Sequence, residues 1–391
     1  MKGRTSSTRE TNLPARQLDS AVHEGPARPT VSPGPRLGRN LPRETQAMTA
    51  SAKALEAPLC SVVIRECNEE KHIGRLLSGI LQQTIRPIDV ILVDSGSTDA
   101  TLAIASRYPV RIVSISPEEF TFGRALNRGC ALANGEYLVI ASAHVYPVYP
   151  DWLERLLAPF DELQVALTFG KQRGDETTRF SEHQILAKWF PEVPTSRMDH
   201  PFCNNANAAV RRSLWERRPY NEDLPALEDI EWATWAMSQG YHVAYSAEAE
   251  VIHVHSETPR TVYNRYRREA MALRRIHPGE HFRLVDLVRL YLSNVVTDAW
   301  HALRQGVLGR TLGEIVWFRW MQFWGTYRGF ALSGPLTGQL KQAFYYPRGF
   351  GSLAPSPVRS VSPIEYGGHA LGTAEDPSGT SSGSTDQRQA G

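Results

Sequence analysis

An α/β fold, with a mostly parallel sheet wrapped by helices on both faces, is what the sequence predicts for the middle of this chain. Three observations predict it. Short apolar runs alternate with segments of helical spacing between residues 59 and 142. The intervening helices are long enough to carry the chain back across a sheet, which leaves consecutive strands parallel. The stretch YLVIASAHVYP, residues 137–147, reads as a buried strand stopped by small residues, a histidine and a proline.

The elements follow in order. LCSVVIR is the first strand, and EEKHIGRLLSGILQQ places Ile73, Leu76, Leu77 and Ile80 at helical spacing. IDVILVD is the second strand, STDATLAIASRY the second helix and VRIVSI the third strand. The helix FGRALNRGCALANG is expected to close at Gly135, and EYLVIAS follows as a strand. Ligands of such sheets sit at the carboxyl ends of the strands. That rule selects Arg65 to Glu69, Asp94 to Asp99 and Ser142 to His144 as the walls of a nucleotide-sized crevice.

The ends of the chain read differently. Residues 1–57 are rich in Pro, Arg, Ser and Thr, and the stretch after about 351 in Gly, Ser, Pro and Thr. Neither has an apolar period able to offset the entropy of ordering. The expected organisation is a disordered tail over 1–57, a catalytic domain over 58–258, a helical extension over 259–340 and a mostly disordered tail over 341–391. The N-terminus lacks the apolar core of a signal peptide, and no run of about 18 apolar residues predicts a membrane span. Four scattered cysteines suit reduced thiols in a cytoplasmic protein. A net charge of +2 gives no argument for a nucleic-acid partner.

Nucleotide chemistry is narrowed by what is missing. Neither the GxGxxG dinucleotide fingerprint nor the GxxxxGK[ST] phosphate loop occurs after the first strand. The second strand instead ends in VDSGSTDAT, where Gly96 allows a tight turn and Ser97 or Thr98 can cap the next helix. Taken alone, this is also what a well-made strand-to-helix turn looks like.

Four segments in register say more than any one of them. SVVIRECNEE, ILVDSGSTDAT, ALNRGCALANGEYLVIASAH and ALEDIEWATWAMSQGYHVAY resemble, in order and spacing, the family-2 glycosyltransferases of GT-A fold. The wording of EEFTFGRALNRG and NANAAVRRSLWE is similar to the rhamnosyltransferase-like branch. The resemblance spans residues 60 to about 270. It implies donor-site roles for Arg65, Glu66, Asn68 and Glu69, and contacts to the base or ribose from Asp94, Ser95 and Gly96. It places Ser142, Ala143 and His144 where the family's metal-binding DxD normally stands. Asp229 matches the family's general base, with Glu228 beside it; the usual preceding glycine is Leu227 here. Asn204, Asn205 and Asn207 fall near the transferred sugar and acceptor, and Trp232, one turn after Asp229, is a candidate cleft residue.

The residue types fit an inverting transfer, a single displacement at the anomeric carbon. A carboxylate at a helix start takes the acceptor hydroxyl's proton, and the leaving diphosphate needs a cation or fixed donors. Loss of the two aspartates removes hard oxygen ligands. Imidazole suits Mn²⁺ and softer ions better than Mg²⁺. Three readings of His144 stay open: a metal ligand together with His255 and His253, a direct donor to the diphosphate, or a histidine packing the pocket wall. The expected cofactor is therefore a divalent metal, Mn²⁺ or Mg²⁺.

Beyond residue 258 the sequence turns helical, basic and aromatic. Thr258 is the expected N-cap and Pro259 the first helical residue, with Val262, Tyr266, Ala270 and Leu273 facing inward. Arg265, Arg267, Arg268, Arg274 and Arg275 are either solvated or part of a surface that rests on an anionic membrane. The resulting expectation is an enzyme moving rhamnose or another hexose from a nucleotide diphosphate to a glycan or lipid-linked saccharide, as part of polysaccharide biosynthesis in the cell envelope. It would work in the cytoplasm or peripherally on the inner membrane face. A sugar nucleotidyltransferase is disfavoured by the absent glycine-rich, basic first loop. A degenerate transferase that only binds nucleotide sugar is the other alternative, since the DxD is gone.

Overall fold

A computed structural model describes residues 57–331 except 118 and 256, together with 361, 362 and 364–366. The expected N-terminal tail lies outside them but for residue 57, as do residues 332–360 and 367–391.

The first half alternates as its pattern requires: β1 (Cys60–Glu66), α1 (Ile73–Ile80), β2 (Ile88–Asp94), α2 (Thr101–Ala105), β3 (Arg111–Ser114), α3 (Phe122–Cys130) and β4 (Tyr137–Ser142). Then come β5 (Val145–Pro147), α4 (Trp152–Leu157), β6 (Val165–Arg173), α5 (Phe180–Trp189), β7 (Asn207–Arg211), α6 (Arg212–Arg217), α7 (Glu228–Ser238) and β8 (His242–His253). The strands form one sheet in the order β3-β2-β1-β4-β7-β6-β8-β5. Pairs β3-β2, β2-β1, β1-β4 and β6-β8 are parallel; β4-β7, β7-β6 and β8-β5 are antiparallel. The sheet is thus mixed, with its parallel run where βαβ crossovers supply it. β7 runs against β4 because the chain enters it from the loop over the crevice.

Both faces are covered, and the period of two along each strand decides which residue goes where. Cys60, Val62 and Ile64 pack on one face with α1 and α4, beside Val90, Leu92 and Val139. Val63, Ile91, Val93, Leu138 and Ile140 pack on the other with α3 and α7. Gly135 does not close α3, which ends at Cys130. It lies instead against the backbone of Cys60 and Ser61, where a Cβ would collide, and donates its N–H to Ser61 Oγ at 2.8 Å.

Three long helices complete the described chain: α8 (Pro259–Ile276), α9 (Leu284–Arg304) and α10 (Leu308–Ala331). Thr258 caps α8 through Thr261 N–H, and Val262, Tyr266, Ala270 and Leu273 are its buried stripe. Ala270, Leu273, Leu287, Leu290, Phe323 and Phe330 join the same apolar cluster as the sheet. At roughly 1.5–3 kcal/mol for each large apolar side chain withdrawn from water, the helices are part of the domain's core and no separate appendage.

One piece of the C-terminal tail is placed. Ile364 donates its N–H to Val148 O at 2.9 Å, and the Tyr366 hydroxyl reaches Pro147 O, its ring edge-on to Tyr146 at 5.4 Å. An aromatic and a β-branched residue thus meet the sheet edge at β5.

Candidate active site

A cavity of about 450 Å³ opens at the carboxyl ends of β1 and β4 and is closed from above by α7, the end of β8 and α8. Its size suits a nucleotide sugar. Arg65, Glu69, Ser142, His144, Asn204, Asn205, Glu228, Asp229, His253 and His255 all line it, although they come from five separate stretches of sequence.

The loops after β1 and β2 form the adjoining wall. Asn68, at φ 57°, accepts the Thr98 N–H at 2.8 Å, and Glu69 N–H donates to Thr101 Oγ1 at 2.8 Å. Asp94 accepts Gly96 and Ser97 N–H at 3.2 and 2.9 Å, and Ser95 Oγ donates to the Glu66 carbonyl at 2.8 Å. Gly96, at φ +97°, is the residue type this turn requires. Burial, and then the adjacent Asp94 carboxylate, push the Glu66 carboxyl up to about 8. Burial acts the same way on Asp94, but hydrogen bonds from Glu66, Ser97 and Gly96 outweigh it and hold that carboxyl below its usual range. At neutral pH Glu66 is the proton donor of the pair. Glu66, Asn68, Asp94, Ser95 and Gly96 border the cavity without lining it, and Ala143 is buried in the apolar core beneath.

Glu228 and Asp229 open α7. Asp229 accepts the N–H of Asn205 at 2.9 Å and its neighbour Ile230's at 2.8 Å, and Asn205 Nδ2 donates to Glu228 at 3.3 Å. Burial and the neighbouring Glu228 carboxylate push the Asp229 carboxyl up, to about 7. Such a group is poised to take a proton near neutrality. Leu227 sits at φ +60°, ψ 29°, the left-handed conformation that explains why a glycine is usual here. Asn204 caps its own turn through Ala206 N–H at 2.9 Å. Asn205 therefore fixes the acidic pair, while its Oδ1 is buried with no protein partner.

Two expectations are overturned. Asn207 is fully buried and does not line the cavity. It donates to the Ala249 and Lys171 carbonyls and accepts from Trp152 Nε1, tying β7 to its neighbours. Trp232 is equally buried, packs on Tyr220 and Trp235, and donates its Nε1–H to Arg218 O at 2.7 Å. Turning one helical step beyond Asp229 points it to the core.

The three histidines meet. One ring nitrogen from each of His144, His253 and His255 lies within 4.8 Å of the others. In each ring Nδ1 is taken: His144 by Glu69 at 2.7 Å, His253 by Gln172 at 2.7 Å, His255 by Glu182 at 2.6 Å. Each acceptor holds the proton on Nδ1 and leaves the Nε2 lone pair free, as in carboxylate–histidine–metal triads. The His253 Nε2 is buried with no protein partner. Burial, then the charges of His255, His144, Arg265 and Arg65, drive its pKa well below the usual value, so the ring is neutral. Burial tends to raise Glu182, but His255 and Arg265 outweigh it and hold the carboxyl down at about 2. These residues fit a divalent cation of nitrogen-preferring type and fit Mg²⁺ poorly.

Phe122, Gln172, Glu182 and Glu257 escaped the sequence reading, as did what the arginines do. Arg65 and Arg268 both stand over the Phe122 ring, at 4.1 and 4.8 Å from its centroid, and Arg65 NH2 lies 3.9 Å from Glu228. Arg265 pairs with Glu182 at 2.9 Å and with Glu257. Arg275 donates to the Asp223 carbonyl at 2.6 Å. Three of the arginines expected to be solvated or to face a membrane are thus engaged with the protein, two of them at the cavity. The spacing of 265, 268 and 269 on one helix side was the available signal; Gln172 and Glu182 carried none, since only the tertiary fold brings them to the histidines.

Residues 61–223 match the family described as Glycosyl transferase family 2. The O-antigen chain rhamnosyltransferase WbaN of Salmonella anatum is 32% identical over 196 residues, covering 47% of this chain and 62% of that protein. The O-antigen chain rhamnosyltransferase RfbN of Salmonella typhimurium is 29% identical over 219 residues, covering 53% and 69%. The match to the first thus spans about three fifths of its length. Among solved structures, the mannosyltransferase PcManGT from Pyrobaculum calidifontis, in complex with GDP-Man and Mn²⁺, is 19% identical, with a TM-score of 0.46 over 75% of this chain and 88% of that one; at that score shape decides nothing. The family match and the crevice at the strand ends agree: residues 61–223 match a family-2 glycosyltransferase domain, and the chain is similar in sequence to O-antigen rhamnosyltransferases.

Proposed function

We propose that the chain is an inverting glycosyltransferase that moves rhamnose or a related hexose from a nucleoside diphosphate to a hydroxyl of a glycan or lipid-linked saccharide. The observation that carries this is the convergence of a proton-accepting carboxylate, Asp229, and three oriented imidazoles in one nucleotide-sized cavity. The sugar assignment rests on the sequence similarity to the two rhamnosyltransferases.

In this reading the acceptor oxygen attacks the anomeric carbon from the Asp229 side as the bond from that carbon to the diphosphate oxygen breaks. The hydroxyl proton passes to Asp229, and the electron pair of the broken bond leaves with the nucleoside diphosphate. Asn205 holds both carboxylates in place, and Arg65 offsets the charge of Glu228. Glu69, Gln172 and Glu182 keep the Nε2 atoms of His144, His253 and His255 aimed as ligands. A divalent cation bound there supplies compensation for the charge the leaving diphosphate gains. Three buried, unpaired cysteines suit a reducing cytoplasm, the compartment in which we place the reaction.

The test is calorimetric titration with dTDP-rhamnose, UDP-glucose, UDP-GlcNAc and GDP-mannose, each with and without Mn²⁺. Binding of one donor that needs Mn²⁺ and is lost in His253→Ala supports the reading. Metal-independent binding removes the metal from it, and no binding to any donor overturns it.

A further inference from the structure

The outer faces of α9 and α10 are apolar where a solvated helix would be polar. On α9, Val288, Leu292, Val296 and Trp300 recur every fourth residue and are 47–67% exposed. On α10, Leu312, Val316 and Trp320 repeat the same step at 39–44% exposure. Tyr291 meets Trp320 edge-on at 5.5 Å, which joins the two stripes. A continuous patch of this kind marks an interaction surface.

The charges say what it meets. Among the described residues, every exposed charge on these helices is an arginine: Arg289, Arg304, Arg310 and Arg328. None of the four forms an ion pair with another described residue. The carboxylates are all turned inward or engaged. Asp286 receives the Arg283 N–H at 3.0 Å, Asp298 pairs with buried Arg319 at 2.7 Å, and Glu314 pairs with Arg179 at 3.2 Å. Arg304 lies over the Trp300 ring at 4.5 Å and Arg328 over Trp324 at 5.7 Å. Aliphatic residues flanked by tryptophans and arginines, with acid withdrawn, are the composition of an element lying in the plane of an anionic bilayer surface. A protein partner of mixed charge would leave no reason for the one-sided sign. No helix among the described residues is long and apolar enough to cross a membrane, so contact would be from one side.

We infer that the α9–α10 face docks on anionic phospholipid. This goes beyond the transfer chemistry and does not depend on it. It also differs from the expected α8 surface, where Arg265 and Arg268 are engaged at the cavity.

The test is co-flotation of the full chain with vesicles of phosphatidylglycerol and phosphatidylcholine, against phosphatidylcholine alone. Binding should need the anionic lipid and weaken in high salt. It should fall about fivefold for each arginine replaced by glutamine, and at least tenfold in Leu292→Ser/Val296→Ser/Trp300→Ser. Donor binding and melting temperature of these surface variants should match wild type, which separates lost docking from lost folding. Failure to bind anionic vesicles overturns the inference. So does a concentration-dependent dimer abolished by the same serine variants, which would assign the face to a second copy of the chain.

Discussion

Replacing Gln172 by leucine isolates the orientation of one imidazole from the presence of its nitrogen. Gln172 does not line the cavity, and its Oε1 accepts the His253 Nδ1–H at 2.7 Å in a buried setting. Without that acceptor the ring either buries an unsatisfied N–H, costing about 1–3 kcal/mol, or moves its proton to Nε2 and blocks the ligand atom. Either way the cost falls on metal binding, and 1–3 kcal/mol corresponds to roughly 5- to 150-fold in affinity, bracketing the 10–100-fold typical of such outer partners. Titration calorimetry with Mn²⁺ and Co²⁺ on folded Gln172→Leu should show that loss, with recovery in Gln172→Glu, which restores an acceptor. Affinity within twofold of wild type in a protein of unchanged melting temperature would refute the orientation argument.

Two further outcomes follow from the same geometry. The Glu66 carboxyl titrates at about 8 in the folded chain against about 4.5 for a free glutamate, so the folded state holds the extra proton between those limits and stability falls as pH rises through that window. Melting curves from pH 5 to 9 should show the fall, and Glu66→Gln, which keeps a donor to Asp94, should flatten part of it and melt higher at pH 8; an unchanged slope contradicts the assignment. At φ +60°, Leu227 carries about 1–2 kcal/mol of left-handed strain. Leu227→Gly should therefore stay within about 1 kcal/mol of wild type, its relief offset by chain entropy and lost packing. Leu227→Val should be clearly less stable by chemical denaturation, and the reverse order would remove the strain argument.

The fold was legible because each strand in the first half carries its own signal. Val62 and Ile64 against Val63 already state two covered faces, and Thr258-Pro259 states a helix start. The antiparallel entry of β7 was not legible, since register with β4 depends on a loop whose path no local pattern fixes. In the site, residues at strand ends were found by the rule that ligands bind there, and Asp229 by its motif. Asn207 and Trp232 belong to segments that reach the cavity, Asn207 two residues after Asn205 and Trp232 three after Asp229, but the strand pleat and the helical turn direct both side chains to the core. Gln172 and Glu182 lie on β6 and α5, which only the closed sheet brings against β8.

The central claim is that Asp229 is the base of a sugar transfer in this cavity, and a comparison of single-turnover transfer with donor binding in Asp229→Asn tests it most directly. With dTDP-rhamnose and a saturating saccharide acceptor, the account predicts a rate lower by about 10²–10⁴-fold, with donor affinity within twofold of wild type. The wild-type rate should also rise with pH to a plateau above about 7, the pH at which the raised Asp229 carboxyl ionises, and the variant should lose that limb. Undiminished transfer by Asp229→Asn, with the same pH profile, would contradict it.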